Sequence, residues 1–132
     1  MAAECTTESR QDLLHRRTAL WLLWVAPWVL IIASGSSSNV VHTVVWTLAF
    51  AVMGVACVAN ARRCGRRHCF YTGPWFLLAA LASLLFGVGV LPLGSGGWNW
   101  IIGIAAVGAV LACCAIEPIL GKYANRHRPN LE

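Results

Sequence analysis

Residues 61–69, ARRCGRRHC, place four arginines between two long apolar segments of the chain. Four clustered arginines are not expected in the hydrocarbon core of a bilayer. Each flanking segment, however, is long enough to cross that core, since a membrane-spanning helix needs about 20 apolar residues. The same alternation marks off four apolar segments: Thr18 to Ser34, Val40 to Ala59, Pro74 to Leu93 and Trp98 to Leu120. The sequence therefore predicts an all-α integral membrane bundle of four transmembrane helices, forming one domain over residues 1–132.

The basic residues all lie on one side of these segments. The turns Gly35 to Asn39 and Gly94 to Gly97 carry no charge, whereas the ten lysines and arginines occupy the two tails and the connection that contains ARRCGRRHC. Because short cytoplasmic loops are enriched in lysine and arginine, we expect both termini and this connection to be cytoplasmic.

Two other interpretations of the charge pattern are weaker. Arg16 and Arg17 precede an apolar run that ends in small residues, as in a signal peptide, but the run is long and rich in tryptophan, so we expect it to be retained as the first span. The net charge of +5 resides in short clusters beside apolar segments, which favours contact with lipid headgroups and argues against nucleic acid as a partner.

The six cysteines are the residues most suggestive of chemistry. With the predicted topology they all fall in the cytoplasmic half, where thiols stay reduced, so metal binding or thiol chemistry is favoured over structural disulfides. Packing as a small apolar residue is the alternative for any single cysteine within a span. The six are Cys5 in the N-terminal tail, Cys57 in the second span, Cys64 and Cys69 in the connection, and Cys113 and Cys114 in the fourth span.

Several of these sulfurs are predicted to come together. Cys57 and Cys113 lie at similar depths in the second and fourth helices, and Cys57 shares a helix face with Cys64 if the second helix continues that far. His68 adds an imidazole beside Cys69 and the arginines, whose positive field favours thiolates. Clustered thiolates are soft ligands for thiophilic metal ions. The candidate metal ligands are Cys113, Cys114, Cys64, Cys69, Cys57 and His68.

A structural zinc site is not the preferred interpretation. Cys64 and Cys69 are separated by four residues, unlike the usual paired spacing, and His68 leaves the set without an obvious fourth ligand.

The segment ACCAIEPILG, residues 112–121, resembles the helix with vicinal cysteines and a nearby proline in the small mercuric-ion transport proteins of bacterial mercury-resistance operons. Cys64 and Cys69 resemble the cytoplasmic cysteine pair of that family. In this chain the vicinal pair lies on the last span near the inner face, with one extra residue before the proline, whereas the family carries it on the first span towards the outside.

The resemblance implies a multi-pass protein of the bacterial inner membrane that passes Hg(II), as cargo, between cysteine pairs. Cys113 and Cys114 would form the intramembrane pair, and Cys64 and Cys69 would release the ion to a cytoplasmic thiol acceptor or reductase. No permanently bound cofactor is implied, and the lipid bilayer is the surrounding partner. A homo-oligomer is left open.

A second interpretation needs no transport. In it the protein is a membrane accessory protein or a redox or metal sensor that uses the Cys/His connection alone. Neither interpretation predicts an enzyme, because the sequence shows no paired carboxylates, no nucleophile with a positioned base and no phosphate-binding loop.

The topology is testable by reporter fusions at Ser37, Arg66, Gly96 and the C-terminus. We expect cytoplasmic signals from Arg66 and the C-terminus and periplasmic signals from Ser37 and Gly96, because the arginine-bearing connection resists translocation. A periplasmic signal from Arg66 would contradict the predicted orientation and the cytoplasmic position of the cysteines.

Overall fold

The computed structural model describes residue 18, residues 21–64 and residues 67–120. The regular structure of these residues is entirely helical, which confirms the predicted all-α class for the described part of the chain. The predictions for Cys5 and for the basic residues of both tails lie outside the described residues.

The described residues form a bundle of four α-helices. The first, α1, is short and lies between a π-helical turn at Trp21–Val25 and a 3₁₀ turn at Ser34–Ser36. Their bounds are α1 at Ala26–Ala33, α2 at Asn39–Cys64, α3 at Arg67–Gly87 and α4 at Gly97–Leu120.

Three of the helices are long and apolar enough to cross a membrane. The qualifying stretches are Asn39–Arg63, Arg67–Gly87 and Gly97–Ala115, whereas the apolar stretch Trp21–Ser36 is shorter. These three helices indicate a membrane protein.

Helix α3 begins seven residues before the predicted start at Pro74, and this boundary prediction was wrong. Proline is well tolerated at the first position of a helix, but here Pro74 lies inside α3, where it removes one amide donor. The helix begins at Arg67, soon after α2 ends at Cys64. Consequently His68 and Cys69 lie on the first turn of a helix and not in a loop.

The end of α3 also differs from the predicted Leu93. Gly89 has a φ of 82°, and the amides of Gly89 and Val90 donate to the carbonyls of Phe86 and Leu85 at 3.0 and 2.9 Å. These two bonds with a left-handed glycine define a Schellman motif, which ends the helix by satisfying its last carbonyls. The stop signal is therefore Gly89, ahead of Pro92.

Helices α2 and α3 form the most extensive helix contact in the bundle. Gly54 of α2 and Gly73 of α3 allow their backbones to approach closely, as small residues do between membrane helices. A Cβ atom at Gly73 would lie 2.7 Å from Val58 Cγ2 and 3.2 Å from the Val58 amide nitrogen. A Cβ atom at Gly54 would lie 2.8 Å from Leu77 Cγ and 3.0 Å from the Gly73 carbonyl oxygen.

The two ends of the bundle differ in chemistry. We call the end where α2 ends at Cys64 and α3 begins at Arg67 the arginine end, and the opposite end, where α2 begins and α3 ends, the uncharged end. Aromatic rings fill the interior towards the uncharged end, with Trp46 centred 5.1 Å from Trp98 and 6.2 Å from Phe50. The indole N–H of Trp46 donates to Ser34 Oγ at 2.9 Å, so it is hydrogen-bonded within this apolar packing.

Gly73→Ala should destabilise the protein by about 1–3 kcal/mol, because the new methyl group overpacks the contact with Val58. Thermal unfolding of the detergent-solubilised chain, followed by circular dichroism, measures this change. The matched control is Gly103→Ala on α4, where a Cβ atom meets nothing within 4 Å and alanine is the better helix former by about 1 kcal/mol. Equal unfolding midpoints for the two variants would contradict the close α2–α3 contact.

Candidate thiol site

The last turns of α2 present a cysteine and an amide to α3. Cys57 is fully buried and Asn60 is 3% exposed, one helical turn apart on the same face. The neighbouring Arg62 and Arg63 are exposed, so positive charge lies at the end of the helix while the sulfur lies inside. This face combines a soft ligand with a hydrogen-bond donor.

The first turns of α3 present the complementary face. Cys69 and Thr72 are fully buried, and His68 is 5% exposed. Cys69, Thr72 and Phe76 follow the helical spacing of three and four residues that keeps side chains on one face. The early start of α3 at Arg67 is what gives these residues their helical spacing.

The two buried cysteines lie at the same α2–α3 contact, each beside a polar side chain of the facing helix. Asn60 Nδ2–H donates to Cys69 Sγ at 3.6 Å, and Thr72 Oγ1–H is 3.4 Å from Cys57 Sγ. Each sulfur is therefore approached by a neutral donor from the facing helix. Thiols are weak acceptors, whereas metal-bound or ionised sulfur accepts more strongly.

An imidazole borders the thiol pair. His68 Nε2 lies 3.3 Å from Cys69 Sγ, and either atom can be the donor, depending on the imidazole tautomer. The backbone carbonyl of His68 accepts a hydrogen bond from Thr72 Oγ1 at 2.9 Å. These contacts link His68, Cys69 and Thr72 within the first turns of α3.

The vicinal cysteines of α4 have a different setting. Cys113 and Cys114 are both exposed in the bundle, and Cys113 is close enough to Cys57 to act on it electrostatically. Adjacent residues on an α-helix point about 100° apart, so the two sulfurs cannot face Cys57 equally. The structure thus places Cys57, Cys69 and His68 at one helix contact, with Cys113 and Cys114 exposed on α4. The side chain of Cys64 lies outside the described residues.

The described residues contain no group of three or more histidine, cysteine, aspartate or glutamate side chains placed to hold a metal ion. Cys57, Cys69 and His68 are the predicted ligands that lie at the α2–α3 contact.

An apolar groove of about 550 Å³ lies apart from the thiols, between α3 and α4. Its walls include Trp75, Leu78, Trp100 and Ile104, and its lining contains no ionisable side chain. Trp75 donates its indole N–H to the Ala105 carbonyl at 3.2 Å, which leaves the groove wall apolar. This surface offers packing for apolar groups but no ligand for a metal.

Asn60 and Thr72 are site residues that the sequence reasoning did not identify. A signal was present, because each lies three residues after a cysteine, Asn60 after Cys57 and Thr72 after Cys69. Interpreting this spacing requires the correct start of α3, because Cys69 and Thr72 share a face only if both lie on a helix.

Comparisons of the chain with protein-family models, curated proteins and solved structures found no match.

Proposed function

We propose that the chain crosses a bacterial inner membrane four times, with both termini and the arginine end in the cytoplasm. The three long helices and the shorter apolar stretch Trp21–Ser36 support this arrangement. In the sequence, Thr18, Ala19 and Leu20 extend that stretch towards the basic residues Arg16 and Arg17, giving a length compatible with a fourth crossing.

The function proposed for this protein is the movement of a thiophilic metal ion, Hg(II) in the first instance, by transfer between cysteine thiolates. The observation that carries the proposal is the position of the buried Cys57 and Cys69 at one helix contact, where each sulfur is approached by a donor of the facing helix. Two thiolates satisfy Hg(II), and their complex is neutral, which suits a site away from water. No enzymatic step is involved.

Transfer requires further thiols within reach. Cys57 on α2 and Cys69 on α3 lie at one helix contact, and Cys113 on α4 is within electrostatic range of Cys57, so three helices would contribute sulfurs. Thiolates exchange on a bound soft ion by attack and displacement, as they do in thiol–disulfide exchange. Within this proposal Cys113 and Cys114 receive the ion, the Cys57–Cys69 pair holds it, and Cys64 with Cys69 releases it to a cytoplasmic thiol acceptor or reductase.

A specific observation favours a second function, metal or redox sensing without transport. Aromatic and imidazole rings fill the interior towards the uncharged end. The ring of His42 is centred 4.9 Å from that of Trp46 and 4.8 Å from that of Trp98. None of the cysteines that the structure describes lies in that half. A protein that binds an ion only from the cytoplasmic side would have this arrangement.

Mercury uptake separates the two functions. Cells that express the chain without a downstream reductase should accumulate Hg(II) and become more sensitive to it, and Cys57→Ser with Cys69→Ser should abolish both effects because a hydroxyl is a poor ligand for a soft ion. Cys113→Ser with Cys114→Ser should also abolish uptake, while Cys5→Ser, in the tail, should leave it unchanged.

The measurement is radioactive Hg(II) uptake and growth inhibition at matched expression, against an empty vector. Uptake equal to the empty vector, with metal binding retained by the purified protein, would reject transport in favour of sensing. Full uptake after loss of Cys57 and Cys69 would reject the proposed thiol site.

A further inference from the structure

A reciprocal pattern connects α2 and α3. On each helix a cysteine is followed three residues later by a neutral hydrogen-bond donor. Asn60, which follows Cys57, donates to Cys69, and Thr72, which follows Cys69, approaches Cys57. Because the helices run in opposite directions, each donor reaches the sulfur of the facing helix.

We propose that Asn60 and Thr72 are positioning residues for a soft metal ion bound by Cys57 and Cys69, each holding the sulfur of the facing helix by a hydrogen bond. This inference rests on the metal binding put forward above but not on transport. Groups that hydrogen-bond to metal ligands orient them and tune their affinity, and their loss costs about 10–100-fold in metal affinity.

The hydroxyl of Thr72 has a choice between two acceptors. It lies 2.9 Å from the His68 carbonyl oxygen and 3.4 Å from Cys57 Sγ, yet it carries a single hydrogen. The metal-free thiol of Cys57 is the weaker acceptor, so the Thr72 hydroxyl donates to the His68 carbonyl when no metal is bound. Binding of Hg(II) forms two Hg–S bonds and releases two thiol protons without electron transfer. The sulfur is then more negative, and the hydroxyl turns to it because a charged acceptor makes the stronger bond.

Folding alone does not account for the approach of Thr72 to Cys57. Thr72 is fully buried and Asn60 is 3% exposed, in a region where polar groups are costly. The His68 carbonyl already satisfies the Thr72 hydroxyl, so stability does not require the sulfur as well. Ser83 makes the comparable bond further along α3, from its Oγ to the Ala79 carbonyl at 2.8 Å, and it is also fully buried.

Metal titration of the purified full chain in detergent tests the inference. HgCl₂ is added against a competing small thiol, and binding is followed by the ultraviolet absorption of Hg–S bonds. Thr72→Val, which removes the hydroxyl but keeps the shape, should weaken binding about 10–100-fold. Thr72→Ser, which keeps the hydroxyl but removes the methyl group, should bind like the wild type. Ser83→Ala is the matched control and should also bind like the wild type.

The order of the two Thr72 variants distinguishes hydrogen bonding from packing. A residue that only fills space would tolerate valine better than serine, so wild-type affinity for Thr72→Val, or an equal loss for both variants, would overturn the inference. Asn60→Leu against Asn60→Gln provides the second comparison if Thr72→Val does not fold, with the loss expected only for leucine.

Failure of the inference differs from failure of the proposed function. If Thr72→Val binds Hg(II) with wild-type affinity while Cys57→Ser loses binding, the thiol site is supported but the positioning role is rejected. If the Thr72 variants bind Hg(II) in the expected order but cells expressing the chain take up no Hg(II), transport is rejected and the positioning role is supported. Unchanged binding after loss of both Cys57 and Cys69 would overturn both.

Discussion

The close approach of α2 and α3 is the constraint on which the rest of the structure depends. Gly54 and Gly73 leave no room for side chains at the contact, where a Cβ atom at Gly73 would lie 3.4 Å from Cys57 Cβ. With the backbones this near, Cys57 and Cys69 lie at the same helix contact, and the short side chain of Thr72 reaches across to Cys57 on the opposite helix. Small residues therefore contribute to chemistry as well as to packing.

The bundle divides its interior between two kinds of interaction. Towards the uncharged end, rings such as Trp46, Phe50 and Trp98 bury apolar area and fix the helices by edge-to-face contacts. Buried polar groups occur towards both ends, whereas the buried cysteines that the structure describes, Cys57 and Cys69, lie towards the arginine end. Each buried polar group must be desolvated, which reduces its contribution to stability. In the proposed function the arginine end lies in the cytoplasm, where a soft cation would be exchanged with small thiols or a protein acceptor.

Much of the architecture follows from the sequence, and Cys57, Cys69 and His68 are among the predicted ligands, but the placement of Cys57 beside Cys69 was not predicted. The lengths of the apolar segments predict the helices because a long run of apolar residues has few other stable structures. The bounds of α3 were wrong for local reasons: Pro74 was taken as a start although a helix tolerates it internally here, and Gly89 ends the helix before the more conspicuous Pro92. That shift placed Cys69 in a loop, which concealed its helical relation to Thr72. The placement of Cys57 beside Cys69 depends on helix rotation and spacing, which residue patterns along one helix do not encode.

The central claim is that Cys57 and Cys69 together hold one soft ion. X-ray absorption spectroscopy at the mercury edge, on the full chain loaded with one equivalent of Hg(II), measures the atoms bound to the metal directly. The account predicts a shell of two sulfur atoms that persists when Cys5, Cys64, Cys113 and Cys114 are all replaced by serine, and that is lost when Cys57 and Cys69 are replaced instead. An unchanged two-sulfur shell in the variant without Cys57 and Cys69 would contradict it.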